Sequence, residues 1–190
     1  MQETNSEVMS HKSRWIWFSI LTVVIVAIDQ WSKVYAIENW KGLPPRTFFN
    51  DLFRIQYAEN PGAFLSLFAG FSPELRFWLL IVMTGAMMFG MTVYLLFSRT
   101  VSKLVFFAFT LVVAGGVSNM IDRIRFECVI DYFNLGIGSV RTGIFNIADM
   151  AISAGFLLML PLILFGEKSS PSKEPTESSS DATATGSTAS

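Results

Sequence analysis

Residues 145–165 read FNIADMAISAGFLLMLPLILF, and Asp149 is the only charged residue in this stretch. A helix over residues 150–165, rising about 1.5 Å per residue, is nearly long enough to cross the hydrocarbon layer of a bilayer. A carboxylate at membrane depth is costly, so Asp149 needs either a structural or a functional reason. The stretch therefore predicts a membrane-spanning helix that begins at Asp149, a carboxylate with either a structural or a functional role.

Three further apolar blocks extend this pattern toward the N-terminus. They cover residues 15–35, 77–97 and 104–121, and only the first contains charges, Asp29 and Lys33, near its end. A cleaved signal peptide is a poor explanation of the first block because the apolar run is long and no small-residue cleavage site follows it. With 52% hydrophobic residues, the chain is predicted to be a mainly α integral membrane protein with four transmembrane helices.

The loops between the blocks predict a small β-sheet on one face of the membrane. Residues 47–64 mix aromatic and β-branched residues and end in a turn signal after Asn60, and residues 126–146 alternate apolar and polar residues. Both loops must lie on the same side, and we expect a small extracytoplasmic sheet there. The Ser72-Pro73-Glu74 stretch predicts the start of the second helix.

The chain is expected to have three parts. Residues 1–13 form a polar cytoplasmic N-terminal segment, residues 14–167 the four-helix transmembrane domain, and residues 168–190 a cytoplasmic tail. The tail is rich in Ser, Thr, Pro and Glu and has no aromatic residue, so it is predicted to be disordered. Lys and Arg counts orient the protein only weakly, with both termini inside.

Composition excludes several classes of site. The net charge is -1, which gives no basic surface for nucleic acid. One cysteine, Cys128, and one histidine, His11, exclude an internal disulfide and make a metal centre built from Cys and His improbable. We expect no metal and no cofactor, and we expect Cys128 to be inert packing because no second thiol or nearby histidine activates it.

Asp29 and Lys33 are one helical turn apart and allow two interpretations. In the first they form an ion pair at the helix end, with Lys33 extending outward to the membrane surface. In the second Asp29 holds Lys33 so that it faces an interior site. The spacing alone does not choose between them.

The stretch GGVSNMIDR, residues 115–123, combines small and polar residues at the end of the third block. Gly115 and Gly116 allow a neighbouring helix to approach closely, and Asn119, Asp122 and Arg123 share one helix face. This pattern fits either a closely packed helix with a polar end at the membrane interface or part of a site. The Asn60-Pro61-Gly62 sequence, taken alone, indicates only a turn.

Asp131, in VIDYF, and Asp149 reach the same membrane face from segments joined by one loop. For Asp149 a structural role is also open, since Asn146 can cap the fourth helix with Asp149 at its third position. Two neighbouring carboxyls cannot both ionise easily, so one keeps a proton while the other takes a proton from water, as in aspartic proteases. A serine–histidine arrangement is excluded because His11 precedes the first span. Metal-assisted hydrolysis by carboxylates has no recognisable ligand spacing here.

Five motifs in order, DQWSK, NPGAF, GGVSNMIDR, VIDYF and FNIAD, threaded through four spans, resemble the bacterial lipoprotein signal peptidases (signal peptidase II). The resemblance covers about residues 15–166. Two positions depart from the family pattern: Ser118 stands where the family has a glycine, and the stretch after Asn60 is one alanine short.

The resemblance implies an intramembrane aspartic endopeptidase that cuts prolipoproteins just before a cysteine carrying diacylglycerol. It implies Asp131 and Asp149 as the catalytic pair, a small sheet cradle with a short amphipathic helix, and inhibition by globomycin-type cyclic peptides. It places the enzyme in the bacterial inner membrane, in contact with its lipids, with cytoplasmic termini and the site near the outer leaflet. We expect a monomer. The supporting pocket residues that it implies are Asp29, Lys33, Asn60, Gly62, Asn119, Asp122, Arg123 and Asn146.

Two other functions remain open from the residues themselves. A small proton- or ion-coupled carrier would use the same aspartates as a relay, although internal repeats and broken helices are not visible. A non-catalytic scaffold would use the polar residues only to join helices.

Overall fold

Four helices make up most of the part of the chain that the structure describes. The computed structural model describes residues 8–61 and 71–165. It contains α1 (His11–Trp40), α2 (Pro73–Phe97), α3 (Lys103–Phe126) and α4 (Ile147–Phe165). By length and composition α1, α2 and α3 are able to cross a membrane, and α4 is a shorter apolar helix. The predicted fold class is confirmed. The helices extend a few residues beyond the predicted blocks, except at the C-terminal ends of α2 and α4.

An open antiparallel sheet accompanies the helices. Its strands are β1 (Arg46–Phe48), β2 (Phe53–Asn60), β3 (Val129–Ile137) and β4 (Val140–Arg141), in the order β1-β2-β3-β4. The central pair aligns Ala58 with Asp131 and Asn60 with Val129. β2 ends at Asn60, as predicted, and this end lies beside Asp131.

The short amphipathic helix implied by the resemblance is not found in residues 8–61 and 71–165. The intervening residues 62–70 lie outside the described part of the chain, as do residues 1–7 and 166–190. The predicted tail and most of the predicted N-terminal segment therefore have no structural account here.

Serine caps begin three of the helices. The side chains of Ser10, Ser72 and Ser102 each accept a hydrogen bond from the backbone amide three residues later. Such caps satisfy amides that have no partner inside the helix. The helix start predicted at Ser72 is therefore confirmed.

Helix α3 is the centre of the bundle and contacts each of the other three helices. It meets α4 so closely that a Cβ added at Gly115 would lie 2.4 Å from the carbonyl oxygen of Ala148, and one added at Gly155 would lie 2.5 Å from that of Ala108. Any larger side chain at either position would push the two helices apart. Glycine thus places the first turn of α4 directly against the polar end of α3.

The other end of the bundle is held by Arg14, whose side chain is 1% exposed. Its guanidinium donates to the carbonyl oxygens of Met9, Leu95 and Ser98. Leu95 lies in the last turn of α2, where helix carbonyls have no partner within the helix, and Ser98 directly follows that helix. Arg14 therefore ties the start of α1 to the connection between α2 and α3.

Candidate active site

Asp149 lies in the first turn of α4 and forms a reciprocal cap with Asn146. The backbone amide of Asp149 donates to Asn146 Oδ1 at 2.9 Å, and the backbone amide of Asn146 donates to Asp149 Oδ2 at 3.3 Å. This is the geometry of a capping box. The capping interpretation is correct, and it leaves Asp149 Oδ1 available to another partner.

Asp131 lies on β3 and is 2% exposed. Its Oδ1 accepts a hydrogen bond from Asn146 Nδ2 at 2.7 Å, and its Oδ2 accepts one from Asn60 Nδ2 at 3.2 Å. Burial and, second, the nearby charge of Asp149 raise the pKa of Asp131 to about 6. Asn146 is hydrogen-bonded to both aspartates, so it joins the two predicted catalytic carboxyls.

Asn119 of α3 completes the contacts of Asp149. Its Nδ2 donates to Asp149 Oδ1 at 2.8 Å, while its Oδ1 accepts from Lys33 Nζ at 2.8 Å and from Asn146 Nδ2 at 3.2 Å. An ammonium group has only donors, so it requires the oxygen of the amide. Lys33 thereby fixes the orientation in which Asn119 turns its nitrogen toward Asp149.

Lys33 faces the interior, with 1% of its side chain exposed. Besides Asn119, its Nζ contacts Asp29 Oδ2 at 2.7 Å and Asp122 Oδ2 at 2.8 Å. The three ammonium protons therefore have three acceptors. The interpretation in which Lys33 extends to the membrane surface is wrong, because Lys33 forms its ion pair with Asp29 in the interior of the protein.

Asp29 and Asp122 also accept hydrogen bonds from the backbone, one beside each of the two predicted catalytic residues. Asp29 Oδ1 accepts from the amide of Ala148 at 2.8 Å, and Asp122 Oδ2 accepts from the amide of Ile130 at 3.1 Å. Ala148 precedes Asp149, and Ile130 precedes Asp131. Both carboxylates are fully buried, so the network around Lys33 holds the two segments that carry the pair.

This geometry can be compared with known proteins. The sequence model of the family described as signal peptidase (SPase) II matches residues 21–165, which include all five motifs. The chain belongs to the signal peptidase II family. It is accordingly a membrane-embedded peptidase.

Curated relatives of this signal peptidase II family member cover most of its length. The lipoprotein signal peptidase of Pelodictyon phaeoclathratiforme is 34% identical over 170 residues, which span 85% of this chain and 95% of that protein. The one from Chlorobium luteolum is 34% identical over 84% of this chain and 96% of the relative. The one from Clostridioides difficile is 29% identical over 80% of this chain and 98% of the relative. None of these names supports the carrier alternative.

Two solved structures, both described as a bacterial membrane enzyme, share the fold of this family member. One has a TM-score of 0.67 at 22% identity and covers 78% of this chain and 92% of its own. The other has a TM-score of 0.66 at 22% identity and covers 83% and 93%, respectively. The similarity extends over nearly the whole of each solved chain, which supports the arrangement of helices and sheet described above.

Arg123, another predicted pocket residue of this peptidase, lies at the edge of the site. It lines a cavity of about 410 Å³, and its Nη1 donates to the carbonyl oxygen of Asn119 at 3.3 Å. Its Nε is buried and has no hydrogen-bond partner within the described residues. Gly62 lies outside the described residues. The other lining residues are Pro61, Glu74, Phe77, Trp78, Leu80 and Glu127.

A second cavity, of about 530 Å³, opens beside Asp149. Its walls are mainly apolar and come from the end of β3, the segment before α4 and the first half of α4. They include Leu135, Phe145, Met150 and Leu157. The site thus combines buried carboxyls with an adjoining apolar surface, which suits a substrate that has both a peptide bond and hydrocarbon.

Sequence reasoning did not identify Gln30 as part of this network. Gln30 Nε2 donates to Asp122 Oδ1 at 2.7 Å and to Ser118 Oγ at 3.1 Å. A glutamine next to Asp29 inside an apolar block was the available signal. Cys128 lies in a small apolar cluster, and burial raises the pKa of its thiol, as inert packing requires. Within the described residues, three or more His, Cys, Asp or Glu side chains do not gather as a metal site.

Proposed function

We propose that the protein is an aspartic endopeptidase that removes signal peptides from diacylglyceryl-modified prolipoproteins, cutting just before the lipidated cysteine. Family membership supports the action on prolipoproteins. One observation carries the assignment of Asp131 and Asp149 as the catalytic pair: Asn146 is hydrogen-bonded to both of these carboxyls. The side-chain amide of Asn146 donates to Asp131 and its backbone amide donates to Asp149, so this one residue joins a carboxyl of β3 to a carboxyl of α4.

In the proposed mechanism the two carboxyls share one proton. Asp149 sits at a helix N-terminus, where the aligned peptide dipoles favour a negative charge, and it acts as the general base toward water. Asp131, whose pKa is raised to about 6 by burial and by Asp149, holds the proton and polarises the scissile carbonyl. Water attacks that carbonyl carbon, and the proton then passes to the leaving amine as the peptide bond breaks.

The amides of Asn119 and Asn146 keep the reacting groups in place. Asn119 Nδ2 is hydrogen-bonded to Asp149 and Asn146 Nδ2 to Asp131, so neither carboxyl can rotate freely. Such fixed dipoles stabilise charge in the transition state without reorganising during the reaction. Lys33 and the two carboxylates that bind it act behind these amides and hold them.

We propose that the substrate enters sideways from the bilayer. The apolar cavity beside Asp149 accepts hydrocarbon, either from the signal helix or from the diacylglyceryl chains, and burial of this hydrocarbon supplies much of the binding energy. We further propose that the protein lies in the bacterial inner membrane with both termini cytoplasmic and the site near the outer leaflet. The enzyme acts as a monomer and is inhibited by globomycin-type cyclic peptides.

The test is a gel-shift cleavage assay in detergent micelles with diacylglyceryl-modified and unmodified prolipoprotein. Wild type is compared with Asp131→Asn and Asp149→Asn at matched folded yield. We expect cleavage of the lipidated substrate only, and a loss of at least about a thousandfold in turnover for each variant. Both variants should still bind substrate, because neither removes the apolar surface.

Three results would contradict the proposal in different ways. Equal cleavage of the unmodified substrate would remove the lipid requirement. Activity retained by either variant would remove that aspartate from the catalytic pair. Loss of folding rather than of turnover in both variants would favour the scaffold alternative.

A further inference from the structure

Ser118 of α3 makes a buried contact that the proposed mechanism does not use. Its side chain is fully buried, and its hydroxyl donates to Asp29 Oδ2 at 2.7 Å. The same hydroxyl accepts a hydrogen bond from Gln30 Nε2 at 3.1 Å. Because Gln30 supplies a donor, the hydroxyl proton must point toward Asp29.

The carboxylate of Asp29 connects Ser118 to α4 through hydrogen bonds. Its Oδ2 accepts from Ser118 and Lys33, and its Oδ1 accepts from the amide of Ala148 at 2.8 Å. A carboxylate is planar, so two contacts on Oδ2 set the direction in which Oδ1 points. That direction determines where the first turn of α4, which carries Asp149, can settle.

Ser118 suits this task better than Lys33 does. Lys33 divides its three protons among three acceptors on a long, rotatable stem. Ser118 has a single side-chain torsion before its oxygen and projects from the central helix of the bundle. It also directly precedes Asn119, which donates to Asp149 itself. Two adjacent residues of α3 therefore position Asp149. Asn119 does so by a direct hydrogen bond, and Ser118 does so through Asp29.

We infer that Ser118 is a positioning residue for the peptidase reaction, holding the start of α4 through Asp29 so that Asp149 keeps its place opposite Asp131. The inference rests on the proposed role of Asp149. It predicts an effect on turnover rather than on substrate binding, since Ser118 is buried behind the carboxyls and lines neither cavity described above.

Two variants test the inference together. Ser118→Ala and Ser118→Gly both remove the hydroxyl without adding bulk, and Thr110→Val is the matched control. Thr110 is also fully buried on α3, but its hydroxyl is bonded at 2.7 Å to Phe106 O of the same helix. We expect kcat to fall about tenfold in both Ser118 variants with KM unchanged, because small displacements of a catalytic group are costly. Thr110→Val should keep the wild-type kcat.

A second measurement does not depend on cleavage. Deuterium exchange of a peptide covering residues 145–155 reports the hydrogen bonds of the first turn of α4. Exchange there should be faster in both Ser118 variants than in wild type and in Thr110→Val. If Ser118 instead acted only through helix stability, the glycine variant would be clearly worse than the alanine variant.

A kcat within twofold of wild type in both Ser118 variants would overturn the inference, and so would unchanged exchange over residues 145–155. Failure of the proposed function looks different, because Asp149→Asn would then still cleave the substrate. The exchange measurement would in that case continue to decide whether Ser118 holds α4.

Discussion

Lys33 illustrates how a buried charge is stabilised in this protein. Its contact with Asp29 and the contact of Lys41 with Glu59 have the same length, 2.7 Å. The side chains of Lys41 and Glu59 are 57% and 46% exposed, and exposed pairs of this kind contribute about 1 kcal/mol or less. Removing Lys33 would strand two buried carboxylates, for which about 3–5 kcal/mol is typical. The burial of an ion pair, rather than its length, therefore decides how much the loss of one partner destabilises the protein.

The raised pKa of Asp131 predicts a pH dependence of stability. Asp131 binds a proton in the folded state up to about pH 6, whereas an unfolded aspartate does so only up to about pH 4. The folded state therefore holds more protons between these values, and stability rises as pH falls through them. We expect the thermal unfolding midpoint in detergent to rise between pH 7.5 and pH 5, by about 2–4 °C for each kcal/mol.

Asp131→Asn should remove most of this rise, whatever it does to the midpoint itself. Asp51→Asn is the control, because hydrogen bonding to Arg54 holds the pKa of Asp51 below its usual value. Any contribution of Asp51 to stability is therefore lost only at a pH below the range of this measurement. The same rise in Asp131→Asn as in wild type would contradict the assignment of the titration to Asp131.

At the level of residues, the sequence identified the carboxyls but not their contacts. The four-residue spacing of Asp29 and Lys33 predicted an ion pair, yet their burial depends on Asp122, which is far away in the sequence. Ser118 drew notice only as a departure from the family pattern, because nothing local indicates that its hydroxyl reaches Asp29. The cap at Asn146 was predictable because it involves residues three apart.

At the level of elements, the close approach of α3 and α4 depends on Gly115. We predict that Gly115→Ala destabilises the protein by about 1–3 kcal/mol, since its Cβ would lie 2.4 Å from the carbonyl oxygen of Ala148. It should also lower turnover at least about tenfold, because relieving the overlap moves the first turn of α4 away from Asn119. Thermal unfolding and the cleavage assay measure the two effects.

Gly90→Ala serves as the control within α2, where an added Cβ would have nothing within 4 Å. It should leave turnover unchanged and stabilise the helix by about 0.5–1 kcal/mol. Equal turnover in Gly115→Ala and wild type would show that the approach of the two helices does not position Asp149.

The positions of the four helices were predictable because long uncharged blocks are local signals, although α1 and α3 each continue about five residues past the predicted C-terminal end. The pairing of β2 with β3 was not, although both strands were expected. Their register, which aligns Ala58 with Asp131, brings together residues more than 70 positions apart. That alignment comes from tertiary packing, which local alternation of residue types does not encode.

At the scale of the whole molecule, the two polar ends of the bundle have separate tasks. Arg14 and Lys33 are both on α1, roughly 28 Å apart along the helix axis. We predict that Arg14→Met lowers the free energy of unfolding by about 3 kcal/mol, or about 6–12 °C, because buried carbonyls lose a charged donor. Turnover per folded molecule should remain at the wild-type value.

Arg99→Met is the matched control, since Arg99 is exposed near the same end of the bundle and its removal changes the charge equally. It should leave the free energy of unfolding within about 0.5 kcal/mol of the wild-type value. A fall in turnover of folded Arg14→Met, measured beside this control, would show that the two ends are coupled.

The polar network draws its members from α1, α3, β3 and α4, and α4 is the last of these in the chain. During synthesis the first three helices and β3 are therefore made before Asp149. A chain that ends before α4 therefore lacks one of the two carboxyls proposed as the catalytic pair. Under the proposed mechanism we expect proteolytic activity to begin only when the final helix docks, so that completing the fold is also the step that activates the enzyme.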